Sequence, residues 1–154
     1  MRLTAALAAA AALLALGATP AAAGPAMVQD CTDYAMTTYV MEPWEESTRT
    51  FYNGQVRLVL VDTDGEPACC STWLVAIFPN VEDELGGRTC RMVGSGEGLG
   101  FTGVDIKGVK SAYDAATGLT LTVPVRRMID GDAIVNETVK LRLDLRTSTL
   151  TLVR

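Results

Sequence analysis

Leu119, Leu121, Val123 and Val125 alternate with Thr120, Thr122, Pro124 and Arg126, the period-two pattern of a strand with one buried face. Pro124 has no N–H to donate and points to an edge or bulge. The pattern recurs downstream. Val135, Val139, Leu141, Leu143 and Leu145 share one face, interrupted by Glu137, while Asn136, Thr138, Lys140, Arg142 and Asp144 share the other. Leu150 and Leu152 then alternate with Thr149 and Thr151. Two runs differ: Val56 to Val61, broken only by Arg57, and Trp73 to Phe78 are apolar at successive positions, so they predict central strands covered on both sides. Arg88 to Val93 reads as a short strand and Val104 to Val109 as a weaker one. Residues 31 to 50 are compatible with an arm, a strand or one short helix.

Turn residues separate these runs. Asn53-Gly54, Asp64-Gly65 and Asp130-Gly131 are hairpin punctuation, and Tyr113 to Gly118 resembles Leu145 to Ser148 as a second kind of hairpin loop, with Gly118 supplying a positive φ. Counting gives an all-β chain of about seven or eight antiparallel strands. A two-sheet β-sandwich is the expected fold, with an up-and-down β-barrel as the alternative.

Composition changes the picture first at the N-terminus, where Ala supplies twelve of residues 1 to 23 but only eight of the following 131. Met1-Arg2, an apolar stretch from Leu3 to Leu16 and small residues at Ala21 and Ala23 form the pattern of a cleaved signal peptide. The expected organisation is a signal peptide at 1–23 and one domain at 24–154. The expected address is periplasmic or secreted, with no membrane span after signal removal. The remaining chain is 44% apolar, enough for an ordinary core, and its Val, Ile and Thr outnumber Ala in the manner of a pleated surface.

The net charge of −5 becomes −6 without Arg2, so the whole chain has no electrostatic footprint for nucleic acid or an anionic membrane. The charge is also uneven. Residues 24–100 hold 12 acids and 4 bases, whereas 101–154 hold 6 acids and 8 bases. The acids concentrate at Glu42, Glu45 and Glu46, then Asp62, Asp64 and Glu66, then Glu82, Asp83 and Glu84. If those loops share one end of the sheets they form an acidic rim.

Cys31, Cys69, Cys70 and Cys90 form an even set in an exported chain and are disulfide candidates. Adjacent strand residues point to opposite faces, which favours bonds from Cys69 and Cys70 to Cys31 and Cys90. A simple hairpin between Trp73–Phe78 and Arg88–Val93 would instead put Cys90 roughly 20 Å from Cys70. In that register Cys31 pairs with Cys90 and the adjacent cysteines pair with each other.

With no histidine, Ser-His-Asp and Cys-His catalysis and imidazole metal ligands are excluded. Gly98 to Gly103 matches the dinucleotide fingerprint in letters, but a strand follows it where a helix is required. Asp62 to Glu66 begins like a calcium loop and lacks the later ligands. No cofactor, metal or catalytic set is therefore assigned. The expected function is non-catalytic binding of an extracytoplasmic protein or glycan, through Trp44, Glu45, Glu46, Asp62, Asp64 and Glu66. The alternatives are a hydrolase pairing Glu45 or Glu46 with Asp62 or Asp64, and a purely structural envelope protein.

Overall fold

A computed structural model describes residues 25–66, 68–129 and 133–153. The expected signal segment and the Asp130-Gly131 turn lie outside these residues. The described chain is a sandwich of two antiparallel sheets. Sheet 1 comprises β1 (Met27–Asp30), β2 (Thr48–Phe51), β3 (Val56–Asp62), β4 (Thr72–Pro79) and β5 (Arg88–Gly94), ordered β1-β5-β4-β3-β2. Sheet 2 comprises β6 (Gly103–Val104), β7 (Lys110–Asp114), β8 (Gly118–Ile129), β9 (Ala133–Asp144) and β10 (Thr149–Leu152). Its order is β10-β9-β8-β6, with β7 also on β8.

Strand parity explains both the core and the doubly apolar runs. Leu58, Leu60, Leu74, Ala76, Phe78 and Val93 face sheet 2, where Leu119, Leu121, Val123, Val139, Leu141 and Leu143 meet them in the main core. The intervening Val59, Val61, Trp73, Val75 and Met92 form a second cluster on the opposite face of sheet 1. An arm covers that face. It runs from Cys31 through two 3-10 turns (Asp33–Ala35 and Thr37–Tyr39) to α1 (Trp44–Ser47), so residues 31–50 hold an arm, a short helix and a strand together.

Three elements depart from the sequence reading. The expected strand from Val104 to Val109 stops after two residues, because the Asp105 carboxylate accepts from the Gly108 N–H at 2.9 Å and closes a turn. Arg49 then holds that turn, its Nη1 donating to the carbonyls of Ile106, Lys107 and Val109 at 3.1, 2.8 and 2.7 Å. Lys110–Asp114, whose last two residues read as hairpin loop, instead pairs with β8 as a wholly exposed edge strand. β1 has no alternation to reveal it and is held by pairing with β5. The turn after β7 is as expected: Gly118 has φ +90°, and a Cβ there would lie 2.3 Å from the Leu143 carbonyl oxygen.

Arg49 also lies 5.0 Å over the Phe51 ring, so it joins the edge of sheet 1 to the loop entering β7. Arg49→Met keeps the stem but leaves three carbonyls without their charged donor. It is expected to lower unfolding free energy by about 2 kcal/mol. A fall in the urea midpoint at unchanged slope checks this.

The cysteine pairing follows the hairpin register. Ile77 stands opposite Cys90, so Cys90 is seven residues along β4 from Cys70 and beyond its reach. The expectation that Cys69 and Cys70 reach separate distant partners is thereby corrected. Cys31 bonds Cys90 and Cys69 bonds Cys70. Disulfides suit an oxidising compartment, and no helix among the described residues is long and apolar enough to cross a membrane.

Candidate functional site

The outer face of sheet 1 presents rows of side chains fixed by register: Val61 beside Trp73, Val59 beside Val75, and Arg57 beside Ile77. The arm is pinned across these rows at three places. The Cys31–Cys90 disulfide ties it to β5, Tyr34 stacks on Trp73 at 5.9 Å between centroids, and Val40 bridges Val61 while the Met41 N–H donates to the Leu60 carbonyl at 3.1 Å. The cover is incomplete.

A trough of about 260 Å³ remains between arm and sheet. Val59, Val61, Val75 and Ile77 form its floor, and Ala35, Thr37, Val40, Trp44 and Thr48 complete the sides, with Arg57 at the Ile77 row. Trp44 is 56% exposed, so this aromatic wall is open to solvent. The Ser47 hydroxyl anchors the short helix behind it by donating to the Met41 carbonyl at 2.5 Å. Ser47 is buried and so fixes the entry and exit of α1 against each other. Of the four depressions described, this one has a predominantly aliphatic floor.

The sequence-derived candidates are distributed differently. Trp44 lines the trough, whereas Glu45 and Glu46 do not. Glu46 instead accepts from the Lys107 ammonium at 2.8 Å, and that hydrogen bond holds its carboxyl below the ordinary value. This is the opposite direction from that needed in a general acid. Asp62 accepts from the Gly65 N–H at 3.1 Å, Asp64 has φ +57°, and the Thr63 hydroxyl donates to the Glu66 carbonyl; the three acids thus belong to a tight turn. Thr48 faces Val59 and Val40 bridges Val61, so α1 and the Asp62–Glu66 turn lie toward the same end of sheet 1. Glu82, Asp83 and Glu84 lie at the other end of β4, about 25 Å away at the rise of an extended strand. A single rim of all three acidic groups therefore does not form, because consecutive hairpin turns lie at opposite ends of a strand. Among the described residues no three acidic or cysteine side chains form a group able to hold a metal ion.

Compared with known protein families, curated proteins and solved structures, the chain matches none. The trough is defined by its own lining. Its floor residues were absent from the sequence-derived set. The signal for them was the doubly apolar character of Val56–Val61 and Trp73–Phe78, which demands a cover without saying that the cover is partial.

The glycine-rich run also resolves into structure. Gly100 donates to the Cys70 carbonyl at 2.7 Å, and a Cβ there would approach the Cys70 and Thr72 carbonyl oxygens to 2.7 and 2.6 Å. Close backbone approach, rather than phosphate binding, accounts for that position.

The titration behaviour follows from the exposed carboxylates. Asp114 is lowered by the backbone N–H and hydroxyl of Thr117 and the N–H of Ala116, and Asp144 by its hydrogen bonds from Arg146. With Glu46, these are folded-state depressions, so their contribution is complete above an ordinary carboxylate pKa of about 4 and disappears as pH falls through the lower folded values. No histidine adds a transition near neutrality. A Tm nearly flat between about pH 5 and 8 that falls below about pH 4 is the expected profile by calorimetry.

Proposed function

We propose that this is an exported, non-catalytic binding domain whose trough accepts an extended segment of another extracytoplasmic protein. The carrying observation is the half-roofed aliphatic trough with exposed Trp44 on its wall. An occupant of this volume inserts one or two aliphatic or aromatic side chains, and its carboxylate meets Arg57, which has no carboxylate of its own within ion-pair distance among the described residues. Recognition of this kind places apolar anchors in a pocket and a charge at the rim. The signal-like N-terminus and the two disulfides support a periplasmic or secreted address.

Peptides selected from a random library against the purified protein test this reading. The expected consensus is an apolar anchor beside an acidic residue, with affinity for Trp44→Ala reduced about tenfold. Selected peptides that bind wild type and Trp44→Ala equally would overturn it.

A further inference from the structure

The charge asymmetry along the chain becomes an asymmetry between sheets, because the chain crosses from sheet 1 to sheet 2 near Phe101, where its balance changes sign. The outer face of sheet 2 carries Lys110, Arg126, Lys140 and Arg142 by strand parity. None of the four has a carboxylate within ion-pair distance among the described residues. Register sets their spacing. Arg126 stands opposite Asn136 on β9, and Lys140 and Arg142 follow on the same face, so the three span about 20 Å along the strands. Lys110 lies across Thr122 from Lys140, about 10 Å away across two strand spacings.

The spaces between these cations are filled by hydroxyls. Thr120, Thr122 and Thr138 lie among them, and Thr151 stands beside Arg142 on β10. The face is hollowed at two places in line. One depression of about 600 Å³ contains Arg126, Asn136 and Thr138 together with Asp105 and Glu137, and another of about 410 Å³ contains Arg142, Thr149 and Thr151 together with Asp144. The acids nearby are already engaged. Arg127 binds Glu137 at 2.8 Å, Arg146 binds Asp144 at 2.9 Å, Asp105 accepts from Gly108, and Asp114 accepts from Ala116 and Thr117.

We propose that this face binds a linear carboxylated polysaccharide along β8 and β9, at a surface separate from the Trp44 trough. These four cations, of which Arg142 also attracts the Asp114 carboxylate from beyond ion-pair distance, supply charge complementarity, and the Thr and Asn side chains supply donors and acceptors for sugar hydroxyls. Aromatic residues decide against other polymers. Tyr113 is the sole aromatic in β7–β10, and although 55% exposed it lies at the sheet edge in the row opposite to the cations, against the Tyr52 ring at 5.2 Å. Neutral sugars and single-stranded bases, which use aromatic stacking, find no platform here, and a lipid surface finds no aromatic belt. The net negative charge of the chain does not oppose the contact. Sheets stack about 10 Å apart and the screening length at physiological salt is about 8 Å, so acids beyond sheet 1 are screened from this face.

Sodium alginate is the probe, with neutral dextran and a single-stranded oligonucleotide as comparators. The purified protein is expected to bind alginate at low salt, to lose it at molar salt, and to leave dextran unbound. The double variant Lys140→Gln with Arg142→Gln, both exposed positions, should keep the wild-type Tm and bind alginate about tenfold more weakly. Trp44→Ala should bind alginate as wild type does, which separates this site from the trough. The proposal is overturned by absent alginate binding at low salt, by unchanged affinity in the double variant, by equal binding of dextran, or by an oligonucleotide affinity matching that for alginate.

Discussion

Replacing Cys31 and Cys90 together by serine is expected to lower unfolding free energy by about 4 kcal/mol, because their bond closes a loop across 59 positions and restricts the unfolded chain accordingly. For a domain of this size that corresponds to a fall in Tm of about 15 °C. The loss should be accompanied by release of the arm. Cys31 is its attachment to β5, and the stacking of Tyr34 on Trp73 and the Val40–Val61 bridge lie further along the same segment. Hydrogen exchange at Ala35, Tyr39 and Val40 should therefore rise more than exchange in the main core. The Cys69–Cys70 bond joins neighbours and closes almost no loop. Its removal by a double alanine replacement should cost about 1 kcal/mol or less. Equal losses for the two pairs, compared by urea unfolding, would contradict this division of labour.

Trp73→Ala is expected to cost about 4 kcal/mol. The side chain is fully buried on the outer face of sheet 1, and Gly94 leaves room for its ring: a Cβ there would come within 2.5 Å of it. Removing the indole leaves a cavity between sheet and arm and removes the Tyr34 contact. Trp73→Phe should cost much less. The Nε1 atom is buried without a hydrogen-bond partner among the described residues, so phenylalanine loses ring area but forfeits no hydrogen bond to them, and about 1.5 kcal/mol is the upper expectation. A Phe variant as damaging as the Ala variant, measured by denaturant midpoint, would mean that the indole N–H has a role this packing does not explain.

These effects also show which parts of the molecule were legible in the sequence. Strict alternation in Leu119–Val125 and Val139–Leu145 marks strands with one wet face, and those became the long β8–β9 ribbon. The number of runs and turns suited either a sandwich or a barrel, and the two separate sheets make it the sandwich. The strand of exposed residues at Lys110–Asp114 was not legible, because an edge strand with no buried side chain has no hydrophobic period to display. Likewise, Val104–Val109 looked like a strand locally, but Arg49, some sixty residues earlier, draws three of its carbonyls into a turn. The cysteine pairing depends on a hairpin register that composition does not specify: Ile77 stands opposite Cys90, and this selects between the two alternatives.

The trough was half legible. Trp44 stood out as an aromatic among polar neighbours, whereas Val59, Val75 and Ile77 looked like ordinary core. They are core in chemistry and surface in topology, since the arm covers one part of their face and leaves another open. The acidic residues stood out for a different reason. Asp and Glu are common in turns because they accept from nearby backbone N–H groups, as Asp62 and Asp114 do. Net charge concealed the opposite case, a cationic sheet face on an acidic chain.

The most direct test of the binding role is an NMR titration of the labelled protein with the tightest library-selected peptide, following the Trp44 indole N–H and the backbone amides of Val59, Val75 and Ile77. Saturable shifts at these four positions, with sheet 2 amides such as Thr122 and Lys140 unmoved, are the predicted result. Shifts confined to sheet 2 or to the Asp62–Glu66 turn, with the Trp44 indole unchanged at saturation, would contradict the account.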